Sequence, residues 1–473
     1  MHDQRTRLPH HAQPVRLRHL PDRRSPRAAA LARPVAREHR HPRRGSDPAR
    51  READRADTGR VPSLGHRKVT AEPPWSELRA QFDLDPAYVH LGLSVLAPHP
   101  RPVREAIERH RRGLDSNPAL YFHRRDELQR QVLEKAGRYL GAEPDTIALT
   151  ESTTMGLAIV ITGMTLRPGD EILSTEHEHY AAGELLRFKA ESSGASHRII
   201  ALYEDPRTAT EDEIVAAVSR GIGDRTRLLV LTWVHSGTGV KLPLARIAEV
   251  VAAVNAGRPP GTEVLTCVDG VHGMGVEDFE VTALGCDFFA TGCHKWLFGP
   301  RGTGLVWGSE RGWAAVRPII TSFDVEVFWP WYLGSVPDGK APAARFCTPG
   351  GFPAYEHRWA LAEAFDFHQD LGKSRVAARI HDLNAHCRRA LADVTGVHVR
   401  TPDVAELTSG MVCFDVPGID PATVVDLLHG EGVVAGQTPY RSSAVRFAPG
   451  VLNDFDDVDR GTEALAKIIK NHT

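Results

Sequence analysis

From residue 146 onward, short apolar runs alternate with longer stretches whose apolar positions recur every three or four residues. The runs TIALT (146–150), DEILST (170–175), HRIIALY (197–203), RLLVLTWV (227–234) and VLTCVD (264–269) predict strands. The stretches between them, 153–164, 181–194, 211–222 and 244–257, predict helices. Strands separated by helices of ~10–15 residues predict βαβ units and a mainly parallel sheet covered on both faces. Helical spacing also marks 101–112 and 124–140 upstream, and residues 354–395 downstream. Residues 310–345, rich in Trp, Phe, Pro and Gly, predict a long loop. MVCFDV, ATVVDLLHGEGV, AVRFAPG and DVDRGTEALAKII then alternate strand and helix again. The expected organisation is an N-terminal arm with a large α/β domain over 71–345, followed by a small C-terminal α+β domain over 346–473.

Composition changes this picture at one end only. The chain has 473 residues, 41% hydrophobic and 25% charged, enough for a large core. No apolar run reaches the ~20 residues that span a bilayer, and the first residues lack the apolar middle of a secretory signal. The six cysteines are scattered without a C-x-x-C pair, which points to thiols of a reducing cytoplasm rather than a disulfide frame or zinc site. The net charge of −2 hides an asymmetry: residues 1–60 hold 16 Arg against 7 Asp and Glu. Residues 1–70, Arg-, His- and Pro-rich with little apolar periodicity, are expected to be disordered. A nucleic-acid-binding arm is disfavoured, because no Phe, Tyr or Trp for base stacking occurs before Trp75 and no helix-turn-helix pattern is present.

The chemistry concentrates in residues 265–308, LTCVDGVHGMGVEDFEVTALGCDFFATGCHKWLFGPRGTGLVWG. Asp269 closes an apolar strand, and Lys295 stands 26 positions later in a His-Lys-Trp turn. Such a pair suits pyridoxal 5'-phosphate. A lysine amine condenses with the cofactor aldehyde, and an aspartate keeps the pyridine nitrogen protonated, so that the ring accepts electrons. Glu151-Ser152-Thr153-Thr154 sits where a strand gives way to a helix, and backbone N–H groups at a helix start attract phosphate. A His-x-His pair (His177, His179) lacks a third ligand for a metal, so no metal is expected.

VDGVHG, CDFFATGCHKWLFGPRGTG and RFCTPGG resemble the class V aminotransferase family of fold-type I pyridoxal phosphate enzymes, and within it the isopenicillin-N-epimerase-like group. The resemblance covers about residues 85–465. It implies that Ser152, Thr153 and Thr154 hold the phosphate, with Thr291 and His294 beside the lysine. The usual small polar residue three places before the lysine is Gly292 here. It implies that a histidine of TEHEHYAAGEL stacks on the ring: His179, or His177 or Tyr180 if the register slips. His272 falls near the cofactor hydroxyl, as does Ser236, and His235 is an acid/base candidate. Thr348 matches a threonine that reaches the phosphate of a neighbouring subunit, which implies a homodimer with active sites at its interface. Arg446 matches the arginine that receives the substrate carboxylate, with Arg441 as runner-up.

The resemblance constrains the reaction less than the cofactor, because this family hosts many reactions. Loss of a group from Cα followed by reprotonation gives an epimerase or aminotransferase. Loss of a β-substituent gives a C–S lyase. Reaction with dioxygen gives an oxidase. The loop AGQTPYRSSA holds no cysteine where desulfurase-type relatives carry a reactive one. The resemblance, together with the aromatic segment TSFDVEVFWPWYLG and Trp331 as a substrate wall, leans the expectation toward an oxygen-dependent monooxygenase-decarboxylase. That enzyme would convert a glycyl-nucleoside to a carboxamide in nucleoside antibiotic biosynthesis. The alternatives are an amino-acid epimerase, a lyase, an aminotransferase, or a cofactor-binding sensor with a basic arm.

Overall fold

The computed structural model describes residues 74–336 and 342–472. The expectations for residues 1–70 therefore lie outside the described residues.

Seven strands form the central sheet: β1 (Ile147–Thr150), β2 (Glu171–Thr175), β3 (Ser196–Ile200), β4 (Thr226–Thr232), β5 (Leu265–Asp269), β6 (Phe288–Gly292) and β7 (Gly304–Gly308). Their order is β1-β7-β6-β5-β4-β2-β3. Strands β3, β2, β4, β5 and β6 are parallel neighbours. β7 runs antiparallel to both β6 and β1. The short connection from Gly292 to Gly304 has no crossover helix, so the returning strand can pair only in the opposite sense. The chain ends of β1, β2, β4, β5 and β6 consequently meet at one edge, where open α/β sheets hold ligands.

The inner strands are largely apolar because both faces are covered, whereas the edge strand β3 is polar at its start and partly exposed. Ile172, Leu228, Val230, Cys267, Phe288, Ala290 and Val306 join one core, with Leu157, Val160, Ala182 and Leu186 from helices α1 (Thr153–Gly163) and α2 (Tyr180–Ser193). Their sheet neighbours Leu173, Leu229, Leu231, Val268, Phe289 and Leu305 join a second core on the other face. That second core takes Ile214 and Val218 from the helix Glu211–Gly221, and Ile247 and Val251 from Leu244–Ala256. The period of two along each strand explains this partition.

Two expectations change. Residues 310–345 are not one long loop: they form the helices Glu310–Ala315, Val325–Tyr332 and the start of Ala343–Cys347. The Asp324 carboxylate accepts from Glu326 N–H at 3.0 Å and starts the second of these, although Pro330 lies inside it. The helical stretch 354–395 is two helices, Tyr355–Leu371 and Lys373–Ala392, parted at Gly372, whose φ of 82° favours glycine. The first packs against Arg101–Ser116 and Arg125–Leu140, beside the large sheet. The C-terminal part carries a four-stranded antiparallel sheet built from His398–Val399, Val412–Asp415, Gly436–Gln437 and Val445–Phe447. Lys373–Ala392, Pro421–Gly430 and Phe455–His472 supply its core with Leu383, Leu428 and Leu465.

Candidate cofactor and active site

A cavity of about 160 Å³ opens at the strand-end edge and is bordered by Ser152, Thr153, Thr154, His179, Ser236, Asp269, His272, His294 and Lys295. The fold thus gathers nine of the sequence-predicted residues, drawn from five strand ends, around one space.

Each arrives by a local device. Ser152 caps α1, its hydroxyl accepting from Met155 N–H at 3.1 Å, and the first-turn residues Thr153 and Thr154 border the cavity with it. Asp269 closes β5, with one oxygen accepting from Val271 N–H at 3.1 Å and the other receiving no hydrogen bond among the described residues. Burial raises its pKa from 3.8 to about 6, against the lowering effects of the Val271 N–H and Lys295. Lys295 is largely buried, and loss of solvation lowers its pKa to about 8, with Asp269 opposing and Arg446 assisting. Its Nζ lies 3.2 Å from His272 Nε2. The indole N–H of Trp296 donates to His272 Nδ1 at 3.4 Å. His179 caps α2 through Nδ1, which accepts from Ala181 N–H at 3.3 Å.

The structure separates the histidines that the sequence left open. His177 packs against both Tyr203 (4.6 Å) and His235 (4.4 Å) and does not border the cavity. Tyr180 is exposed. His235 is fully buried, with Nδ1 at 2.8 Å from the Tyr203 hydroxyl and Nε2 without a partner among the described residues. Burial holds its pKa well below the usual histidine range.

Other predicted residues lie off the cavity. Thr291 is buried and donates to Gly292 carbonyl at 3.1 Å. The Thr348 hydroxyl donates to Ala344 carbonyl at 3.0 Å and accepts from Leu149 N–H at 3.3 Å. Arg446 stands behind Ser236, donating to its carbonyl at 3.0 Å, with a buried and unpartnered Nε. Arg441 lines a neighbouring cleft. Trp331 is 62% exposed and does not border the cavity of its own chain.

Two residues went unnoticed in the sequence. Tyr440 borders the cavity, with its hydroxyl 2.7 Å from Ser236 Oγ. It sits in the loop AGQTPYRSSA, which holds no cysteine. Glu178 is buried beneath the site, accepting from the Thr175 hydroxyl at 2.8 Å and the Thr232 hydroxyl at 2.6 Å. Thr232 is the strand partner of Asp269. Burial raises the Glu178 pKa to about 7, with the Asp269 charge adding to the shift.

The donor set fits pyridoxal 5'-phosphate: N–H groups and hydroxyls at one end, a carboxylate with a free oxygen at the other, and a desolvated amine between. Gly292 adds a steric reason. A Cβ there would lie 2.9 Å from His294 Cε1 and 3.1 Å from Thr153 Oγ1, so the departure to glycine makes room for the wall beside the lysine.

Fold and site together define a fold-type I, pyridoxal-phosphate-dependent enzyme. The sequence matches the aminotransferase class-V family over residues 97–460, and the chain belongs to that family. It is 30% identical to isopenicillin N epimerase of Streptomyces clavuligerus over 83% of this chain and 97% of that protein. It is 32% identical to isopenicillin N epimerase of Amycolatopsis lactamdurans over 75% of this chain and 87% of the relative. In structure it resembles the cystine C–S lyase C-DES (TM-score 0.72, 22% identity, 80% of this chain and 97% of that one). It also resembles the Escherichia coli cysteine desulfurase CsdA (TM-score 0.71, 22% identity, 85% of this chain and all of that one). Among the described residues, no helix is long and apolar enough to cross a membrane.

Proposed function

We propose that the chain exchanges the proton at Cα of an amino-acid substrate, as an epimerase does. The observation that carries this reading is the Lys295–His272 contact of 3.2 Å inside a cavity that also holds Asp269 and Tyr440. The two epimerase relatives, matched over most of their length, support it.

Pyridoxal 5'-phosphate, when bound, supplies an electron sink for the charge left at Cα. Ser152, Thr153 and Thr154 would hold its phosphate, Asp269 its ring nitrogen, His179 a ring face, and Ser236 and His272 the region of its hydroxyl. Lys295 would anchor it, and its free amine would take the Cα proton. A pKa of about 8 leaves a usable share of free amine at neutral pH. Return of a proton to the opposite face needs a second donor. Tyr440 is the best placed: burial pushes its phenol up to about 12, so it is protonated at neutral pH. The resemblance assigns the substrate carboxylate to Arg446, which lies behind Ser236 and whose buried Nε has no partner among the described residues.

A desulfurase reaction by a reactive thiol finds no support, since all six cysteines are buried and none borders the cavity. The oxygen-dependent glycyl-nucleoside reading rested on the family resemblance and the aromatic segment; the resemblance fits the epimerase relatives equally, and Trp331 lies off the cavity of its own chain. We further propose a homodimer, supported by the exposed apolar surface of Trp329, Trp331, Tyr332 and Phe352. Thr348 would have to release Ala344 to donate to a neighbour's phosphate.

The test is to incubate the holoenzyme with amino acids in deuterium oxide, under air and under argon. Deuterium at Cα with inversion, equal in both atmospheres, is the expected result. A product formed only under air, with no Cα exchange, would replace this reading with the oxygen-dependent one.

A further inference from the structure

Glu178 stands in the turn between β2 and α2, directly before His179. The pairing of β2 with β4 ends at Leu173 and Leu229. Thr175 and Thr232, the last residues of those two strands, lie beyond it. The buried Glu178 carboxyl fills this interval. Its Oε1 accepts from the Thr175 hydroxyl at 2.8 Å and from Thr232 N–H at 3.2 Å, and its Oε2 lies 2.6 Å from Thr232 Oγ. One side chain thus joins two strand ends that the backbone ladder no longer connects.

The join tolerates a change of charge. Thr175 Oγ accepts from His177 N–H at 3.2 Å, so its own proton goes to Glu178. Two donors then occupy Oε1, and a proton taken up by the acid belongs on Oε2. There the neighbour is a hydroxyl, which accepts as readily as it donates. Burial raises the Glu178 pKa to about 7, against the lowering effect of its threonine partners, so the acid form is populated near neutral pH. The titratable groups facing it are Asp269 and Cys267 from β5 and Tyr440 from the C-terminal part. Both forms of the carboxyl keep all three contacts.

Both ends of the join lead to the cofactor space. Thr232 borders the cavity and is the strand partner of Asp269. His179, next in sequence to Glu178, borders it from the other side chain of the turn. We infer that Glu178 is a positioning residue: it sets the separation of His179 from Asp269, and so the seat of the cofactor ring between them. The inference takes the placing of those two residues against the ring from the proposed function and is independent of the reaction catalysed.

The holoenzymes of the wild type, Glu178→Gln, Glu178→Met and Thr232→Val are compared in two readouts. One is the cofactor dissociation constant. The other is the ellipticity in the cofactor absorption band, which reports how the ring sits in its asymmetric surroundings. A glutamine keeps the acceptor at Oε1 and can donate to Thr232 Oγ, so Glu178→Gln is expected to stay within ~2-fold of the wild type with unchanged ellipticity. Glu178→Met has a similar length without a polar end. It should weaken cofactor binding at least ~5-fold and change the ellipticity. Thr232→Val removes the Oε2 contact alone and should change both readouts in the same direction. Combined with Glu178→Met it should add little, because the contact is already lost. Wild-type behaviour of Glu178→Met, equal damage in Glu178→Gln, or additive losses in the double variant would overturn the inference. If Glu178→Met does not fold, Thr232→Val decides, and unchanged ellipticity there overturns it. His179→Ala and Asp269→Asn keep two failures apart. If neither alters the ellipticity, the ring contacts are misplaced and the inference falls with them. If both do while Glu178→Met does not, only the Glu178 assignment falls.

Discussion

The indole N–H of Trp296 points at Nδ1 of His272, 3.4 Å away, and so decides which imidazole nitrogen carries a proton. With Nδ1 accepting, a neutral His272 holds its proton on Nε2 and presents a donor to Lys295 at 3.2 Å. Burial keeps His272 neutral by holding its pKa well below the usual value. A donor facing the amine favours the free base over the ammonium, in the same direction as desolvation. Trp296 is thus a positioning residue acting through His272.

Trp296→Phe should release that choice. Nδ1 could then carry the proton and Nε2 could accept from a charged Lys295, raising the lysine pKa. We expect the acid limb of cofactor attachment, followed as borohydride-fixed pyridoxal phosphate against pH, to move up by about half to one unit. That matches a net hydrogen bond of ~1 kcal/mol. A stability loss with an unmoved pH limb would show that the indole only packs.

Asp269→Asn should divide stability from activity. The folded pKa is about 6 against an ordinary 3.8, so the folded chain binds the proton more tightly than the unfolded chain. The ionised carboxylate therefore costs the cofactor-free fold up to about 3 kcal/mol above pH 6, and nothing below both values. Denaturant unfolding of the cofactor-free variant should show a gain at pH 8 that disappears near pH 3. Turnover of the loaded variant should fall by at least ~100-fold, about 2.7 kcal/mol of barrier, because Asn cannot hold the ring nitrogen protonated.

The inner parallel strands were legible because they are buried on both faces and read as largely apolar runs, and Asp269 and Lys295 because they stand at or just past the ends of two such runs. The edge strand Ser196–Ile200 is partly exposed and was legible only from its Ile-Ile end. β7 reads as an apolar run too, yet nothing in GLVW says that it runs backwards; the absent crossover helix says so. The helix Val325–Tyr332 was hidden by Pro330 and its aromatic density, both of which mimic loop composition. His177 and His179 differ by one strand period, so the pattern alone could not choose between them. In the fold His177 packs on Tyr203 and His235, while His179 borders the cavity. Tyr440 reaches the site across 204 residues of separation from Ser236, a contact no local motif encodes.

Lys295→Met should prevent covalent fixation of the cofactor and abolish turnover. It should also stabilise the cofactor-free chain in a pH-dependent way. The lysine pKa falls from 10.5 to about 8 on folding, so the unfolded chain binds more protons and stability rises with pH between those values. Below pH 8 the buried amine costs up to about 3 kcal/mol, and above 10.5 it costs nothing. Methionine fills a similar volume without a charge. The expected gain in thermal midpoint is largest at pH 7 and small at pH 10. An equal gain at both would mean that packing, not desolvation of the amine, sets the difference.

Tyr440→Phe separates the two faces of Cα. The ring is retained, so its packing against Gly237 persists. Only the hydroxyl, 2.7 Å from Ser236 Oγ, is lost. If the phenol returns the proton on the face opposite Lys295, inversion should fall by ~100-fold or more, within the usual range for removing a positioned acid. Lys295 still takes a proton and gives one back on its own face. Deuterium should therefore continue to enter Cα with retained configuration, at a rate near that of the wild type. The decisive measurement is the ratio of inversion to exchange for one substrate in deuterium oxide. A ratio that collapses while exchange persists assigns the second face to Tyr440. If both rates fall together, the hydroxyl holds Ser236 and the site in place rather than carrying the proton.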